Sequence, residues 1–128
     1  MKRRITVLAE KSAHKNPIPA ACRIDNLVMS GLIVGRIPET GEFAETMEEQ
    51  CSLVFRNLRS VAESAGADIN DIVKINLWLR DGSNRGPINK EWLAMFPDEK
   101  NRPARQAMQT ELTAGALIQA DFVAVIHD

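Results

Sequence analysis

Between Thr46 and Gly66 runs a helix signal that restricts what can surround it. Met47, Cys51, Val54, Phe55, Leu58, Val61, Ala62 and Ala65 recur at spacings of three and four, so one apolar stripe runs down a single side. Thr46-Met47-Glu48-Glu49 has the form of a capping box, in which the Thr46 hydroxyl and the Glu49 carboxylate occupy backbone amides that a first turn leaves free. Gly66 supplies the stop, since glycine enters the left-handed region without steric penalty. The pattern then switches to alternation. From Ile72 to Arg80, Val73, Ile75, Leu77 and Leu79 point one way and Lys74, Asn76, Trp78 and Arg80 the other. A one-sided helix followed by a one-sided strand implies a helix layered on a sheet, with the second sheet face turned to water or to another subunit.

The remaining segments supply the rest of that sheet. Ile5 and Val7 alternate in a first strand, and Asn16-Pro17-Ile18-Pro19 is an extended loop because residues before proline are pushed out of helical space. Ala21 to Ile24 and Leu27 to Val34 read as a hairpin joined at Asp25-Asn26, both of which tolerate positive φ. Pro38-Glu39-Thr40-Gly41 closes a turn. A second helix begins at Pro87, carries Ile88, Trp92, Met95 and Phe96 inward and stops at Pro97. Ala104 to Glu111 and Leu117 to Ile126, joined around Thr113-Ala114-Gly115, read as a closing hairpin. No repeat or low-complexity stretch interrupts the 128 residues, a length suited to one domain, 1–128, with one core.

The expected architecture is therefore α+β, two helices over one face of a mixed sheet. Its other face would carry Met29, Gly31, Trp78, Leu117, Val123 and Val125. So large an apolar patch is unusual on a monomer, and a homo-oligomer with packed sheet faces is expected, any site on those faces lying between subunits.

Charge excludes some partners. Charged residues make up 26% of the chain at a net charge of −1, with both signs interspersed, which does not suit a polyanion such as nucleic acid. The basic start Met1-Lys2-Arg3-Arg4 is followed by an apolar run too short for a signal peptide, and no run reaches the ~18 apolar residues of a membrane span. A soluble cytoplasmic protein is expected, without membrane or nucleic-acid partners. Cys22 and Cys51 have no metal-ligand spacing and read as reduced core residues, so no metal site is expected.

Arg105 carries the question of chemistry. A guanidinium on a mostly apolar sheet surface needs an anion, so it is either half of a buried ion pair or a seat for a carboxylate ligand. If the last hairpin turns near Ala114, Ala107 lies opposite Asp121 and Gln109 opposite Gln119. Arg105, Ala107, Gln109, Gln119 and Asp121 then share one face, with Asp121 the diagonal neighbour of Arg105. A register slip of one residue removes that relation.

Several stretches together resemble one family. Ser30-Gly31, Pro38-Glu39-Thr40-Gly41-Glu42, Asp71-Ile72-Val73-Lys74, Asn89 with Trp92 and Phe96, Arg102-Pro103-Ala104-Arg105 and Gly115-Ala116-Leu117, in that order, are similar to the RidA/YjgF family of reactive intermediate imine deaminases. The resemblance runs from about Ile5 to Ile126. It implies a chorismate-mutase-like α+β fold with a mixed six-stranded sheet, and a homotrimer with clefts between subunits. It also implies hydrolysis of enamines and imines such as 2-aminoacrylate to a 2-keto acid and ammonia, without a cofactor. On this resemblance Arg105 clamps the substrate carboxylate and Asp121, one methylene shorter than the usual glutamate, relays protons through water. Ala107, Ser30, Gly31, Ile18, Asn89, Trp92 and His14 are the remaining candidates for binding substrate.

The chain departs from the family at two of those positions. Ala107 stands where many members have cysteine, and Ile18 where they have a pocket tyrosine. Two other readings stay open: a non-catalytic trimer that binds small carboxylic metabolites through Arg105, and a ribonuclease, against which the absence of a basic stripe and of paired catalytic histidines speaks.

Overall fold

The computed structural model describes the backbone of residues 4–7 and 17–127, and side chains within 17–127. Seven strands and two helices follow one another as β1 (Arg4–Val7), β2 (Ala21–Ile24), β3 (Leu27–Ser30), β4 (Ile33–Val34), α1 (Met47–Ser64), β5 (Ile72–Leu79), α2 (Gly86–Met95), β6 (Ala104–Gln109) and β7 (Ile118–Val125). A single 3-10 turn, Ile69–Asp71, joins α1 to β5. His14, one of the candidates named above, lies outside the described residues.

Helix α1 forms where its caps place it. The Thr46 hydroxyl accepts the Glu49 backbone N–H at 3.1 Å, as expected, but it also donates to the Glu49 carboxylate, a side-chain bond in place of the reciprocal backbone contact of a full capping box. At the other end Gly66 adopts φ +87°, which lets its own N–H reach Glu63 and that of Ala67 reach Ala62, a Schellman ending. The Arg23 guanidinium, from β2, donates to the Ala65 carbonyl at 3.0 Å and completes the satisfaction of that end.

The strands make one mixed sheet in the order β1-β2-β3-β7-β5-β6, with β4 paired to β7 beside β3. Both helices cover one face. Phe55 and Leu58 of α1 and Ile88 of α2 meet Val28, Ile75, Leu77, Ile118 and Phe122 of the sheet in one core. The opposite face is open and exposes Leu27, Met29 and Val125, each between 43% and 53% accessible.

Five sequence expectations change. The first concerns Leu27 to Val34, which is two strands: β3 stops at Ser30, and Gly31-Leu32 carries the chain to β4. Of the pair Asp25-Asn26 only Asp25 takes positive φ, at 52°. In β5 a bulge between Ile72 and Lys74 shifts the alternation, so Ile72 is buried and Val73 is 51% exposed. Of the residues expected on the open face, Leu117 packs against the core and precedes β7, and Gly31 lies beyond the end of β3.

The largest change is the closing hairpin. β6 and β7 do not pair: β5 lies between them, parallel to β6 and antiparallel to β7. Helix α2 between β5 and β6 is long enough for the crossover that parallel neighbours require. The chain after β6 then passes around the end of β5, where Thr110 N–H bonds Leu79 and Arg80 N–H bonds Leu117. Placing β5 between β6 and β7 pairs both edges of one of the two longest strands of the sheet.

Candidate active site

Arg105 sits on the edge strand β6 opposite Ile75, whose other neighbour is Phe122. Residues opposite one another in a ladder share a face, so the half-buried Arg105 points to the helix-covered side. There its guanidinium lies over the Trp92 ring of α2, 5.1 Å from the centroid, in a cation–π arrangement. Among the described residues no carboxylate pairs with it. Burial, and then the charge of Arg85, push its pKa below the ordinary arginine value, although a guanidinium remains charged at neutral pH. Two arginines near one another, with no ion-paired acid among the described residues, make this edge attractive to an anion.

Asp121 is not its partner. Opposite Asn76 on β5, it faces the open side, where its carboxylate accepts Asn76 Nδ2 at 2.8 Å and Trp78 Nε1 at 2.9 Å. The expected shared face fails because β5 intervenes. Arg105, Ala107 and Gln109 match Ile75, Leu77 and Leu79, whereas Gln119 and Asp121 match Trp78 and Asn76, the other set of the alternation. Ala107 is packed against the core beside Arg105. Trp92 is mostly buried and tilts against Phe96, with centroids 4.9 Å apart, and Asn89 lies exposed one helical turn before it.

A second feature lies two strands away, at β4 and the start of β7. Ile18, Leu32, Val34, Arg36, Phe43, Thr113, Ala116 and Gln119 line a cavity of about 430 Å³, within the size range of small-molecule sites. Arg36 lies flat over Phe43, 4.1 Å from the ring centroid, and donates to the Gly41 carbonyl at 2.8 Å. Of the expected binding residues, Ile18 lines this cavity. Ser30 is not among the lining residues: its hydroxyl donates to the Gly31 carbonyl and accepts the Phe122 N–H at 2.9 Å, bridging β3 and β7 where the ladder breaks. Gly31 continues the β2 pairing through its N–H to Ala20.

Gln50 and Asn57, which the sequence reading passed over, and Arg80, which it placed on the outward face of β5, hold the cavity walls. Gln50 of α1 is fully buried; its Nε2 donates to Ala44 and Gly115 and its Oε1 accepts Leu117 N–H, each at 2.8 Å. Two turns on, Asn57 donates to the Val34 carbonyl at 3.0 Å. Arg80 clamps the 112–116 loop from the end of β5, donating to the carbonyls of Leu112, Thr113 and Ala116. A signal for Gln50 existed: it is a polar residue at a stripe position, between Met47 and Val54. Cys51, beside it, has its thiol pushed up to about 12 by burial and by nearby Glu91 and Glu48, so it stays protonated and unreactive at neutral pH. Both described cysteines are free thiols.

Fold and site together define an α+β protein with an open apolar sheet face, a preformed cleft at one side of the sheet and, at the other, a half-buried arginine with no acid partner among the described residues. The family model described as Endoribonuclease L-PSP matches residues 11–126, and the chain belongs to that family, which is the RidA/YjgF family. It is 29% identical to Reactive Intermediate Deaminase A, chloroplastic, of Arabidopsis thaliana over 98% of this chain and 67% of that protein. It is 26% identical to 2-iminobutanoate/2-iminopropanoate deaminase of Mus musculus over 96% of this chain and 91% of that one. Among solved structures, RidA from the Antarctic bacterium Psychrobacter sp. PAMC 21119 superposes with a TM-score of 0.86 at 30% identity, covering 95% of this chain and 99% of the other. Among the described residues no helix is long and apolar enough to cross a membrane.

Proposed function

We propose that this protein is a cytoplasmic imine deaminase that hydrolyses 2-imino acids and their enamine tautomers to 2-keto acids and ammonia. The single observation that carries the reading is the Arg105 guanidinium, half-buried on Trp92 with no carboxylate partner among the described residues. Desolvating a cation without an internal counter-charge is costly, and a ligand carboxylate relieves it. The names of the two deaminase relatives support the same chemistry.

The reaction needs little from the protein. An imine carbon is already electrophilic, so water adds to it, the imine nitrogen takes up a proton, and ammonia leaves the resulting tetrahedral carbon as the keto group forms. Holding the carboxylate by a bidentate guanidinium supplies orientation. The cleft and Arg105 are two strands apart in one protomer, so they meet only if one subunit's β6 edge closes another's cleft, in a homotrimer packed through its open faces. In that assembly Gln119, which lines the cleft, orients water. The proton relay expected of Asp121 has less support, because Asn76 and Trp78 already bind its carboxylate outside the cleft-lining set.

The test supplies imino acids from a dehydratase or an amino acid oxidase and measures keto acid release with and without the protein. Acceleration that disappears in Arg105→Ala supports the reading. Full activity in that variant overturns the role of Arg105. No acceleration with any precursor leaves the binding reading, a trimer that holds small carboxylates without turnover. The family description also names an endoribonuclease, but no histidine lines the cleft among the described residues.

A further inference from the structure

We infer that the cleft selects 2-imino acids carrying a bulky aliphatic side chain over the smallest members of the class and over charged ones. The inference rests on the imine-hydrolysis reading and adds which imines these particular residues fit. Five of the eight described residues that line the cleft are apolar: Ile18, Leu32, Val34, Phe43 and Ala116. Ile18 and Leu32 remain 52% and 51% exposed while lining the cavity, so two large aliphatic side chains flank it with half their surface in water. A ligand side chain of four or so carbons laid against them removes apolar surface from water on both partners, whereas a methyl group offers little surface for that purpose.

The polar lining argues against charge on the substrate side chain. Thr113 and Gln119 are neutral, and no carboxylate lines the cleft among the described residues, so a cationic side chain finds no counter-charge there. Arg36, the cation lining the cleft among the described residues of one protomer, is stacked on Phe43 and bonded to the Gly41 carbonyl, so an anionic side chain would leave water for a mostly apolar wall and a guanidinium already partly engaged. The walls are also braced. Gln50, Asn57 and Arg80 hold the backbone at Ala44, Val34 and residues 112–116, so the cavity does not have to be assembled by each ligand and its shape can discriminate.

The experiment compares imino acids produced in place by oxidation of alanine, leucine, aspartate and arginine, and reads kcat/KM for each against uncatalysed hydrolysis. The leucine-derived imine is expected at least about tenfold above the alanine-derived one, with the two charged imines below both. Ile18→Ser and Leu32→Ser, both at exposed positions and so compatible with folding, are expected to bring the leucine-to-alanine ratio to within about threefold of one. Acceleration of the alanine-, aspartate- or arginine-derived imine above the leucine-derived one overturns the inference and leaves imine hydrolysis standing. A leucine preference that survives both substitutions overturns its assignment to this cleft. Failure to accelerate any of the four overturns the enzymatic reading itself.

Discussion

The side-chain oxygen of Gln50 accepts the backbone N–H of Leu117 at 2.8 Å from the interior of α1, while its nitrogen reaches Ala44 and Gly115. One helical residue thus satisfies backbone groups of two loops that wall the cleft. Replacing it with leucine leaves three backbone groups without partners, each costing roughly 1–3 kcal/mol where buried. Gln50→Leu is therefore expected to lower stability by at least about 2 kcal/mol in denaturant titration and, where it stays folded, to raise KM more than it lowers kcat. An unchanged midpoint and KM would show the bonds to be dispensable.

Gly35 makes room for the same helix. A Cβ there would lie 2.8 Å from the Gln50 Cα and carbonyl oxygen, both backbone atoms that cannot swing aside. Gly35→Ala is expected to cost about 1–3 kcal/mol, as overpacking does, whereas Gly31→Ala, whose Cβ would stand at an ordinary 3.5 Å from the Pro19 oxygen, should be milder. Thermal melts of the two variants separate these outcomes.

The Trp92 ring and the Arg105 guanidinium form a stack that positions the cation. Trp92→Leu keeps an apolar group but removes the π face, and is expected to raise KM for imino acids with a smaller change in kcat. Arg105→Lys retains charge but loses the planar fork, so it should recover only a minor part of the activity lost in Arg105→Ala. Steady-state kinetics on the three variants decide both points.

Asp71 is buried beneath the C-terminal segment and bonded to the His127 ring. Burial alone would raise its pKa, but the Asp68 backbone N–H and the side chain and backbone of His127 outweigh that and hold it below the usual 3.8. A carboxylate whose folded pKa lies below its unfolded value stabilises the fold fully above the unfolded value, and that contribution is lost as pH falls through the folded one. Stability should therefore drop in acid below about pH 4, and Asp71→Asn should flatten that part of the profile. Urea midpoints measured from pH 2 to 7 test it.

Cys51 offers a probe of integrity. Its thiol, pushed to about 12, should not react with a thiol reagent at pH 8 in the native protein and should do so at once when the chain unfolds. Rapid labelling of Cys51 under native conditions would show that α1 opens locally far more often than its packing implies.

Two features were legible in the chain because each is set by local chemistry. Helix α1 follows from a three-and-four stripe, a threonine cap and a glycine in the left-handed region; β5 follows from alternation, except that a bulge exchanged Val73 for Ile72 in the core. Arg105 stood out as a cation that required an anion, and the open apolar face announced itself in Met29 and Val125. Periodicity, however, states which face a side chain takes and not which strand lies next door. The adjacency of β6 and β7 in sequence therefore suggested a hairpin that placed Arg105 and Asp121 together.

That neighbour relation was settled only in three dimensions. Pairing β5 on both edges keeps an apolar strand off the sheet edge, and it sends Arg105 to Trp92 and Asp121 to Asn76 and Trp78 on opposite faces. The cleft was equally invisible along the chain, since its walls come from segments up to about a hundred residues apart and are held by Gln50, Asn57 and Arg80 through bonds to backbone groups, which carry no residue signature. Local propensity thus determined the elements of this protein, while long-range hydrogen bonding and burial determined which of them meet.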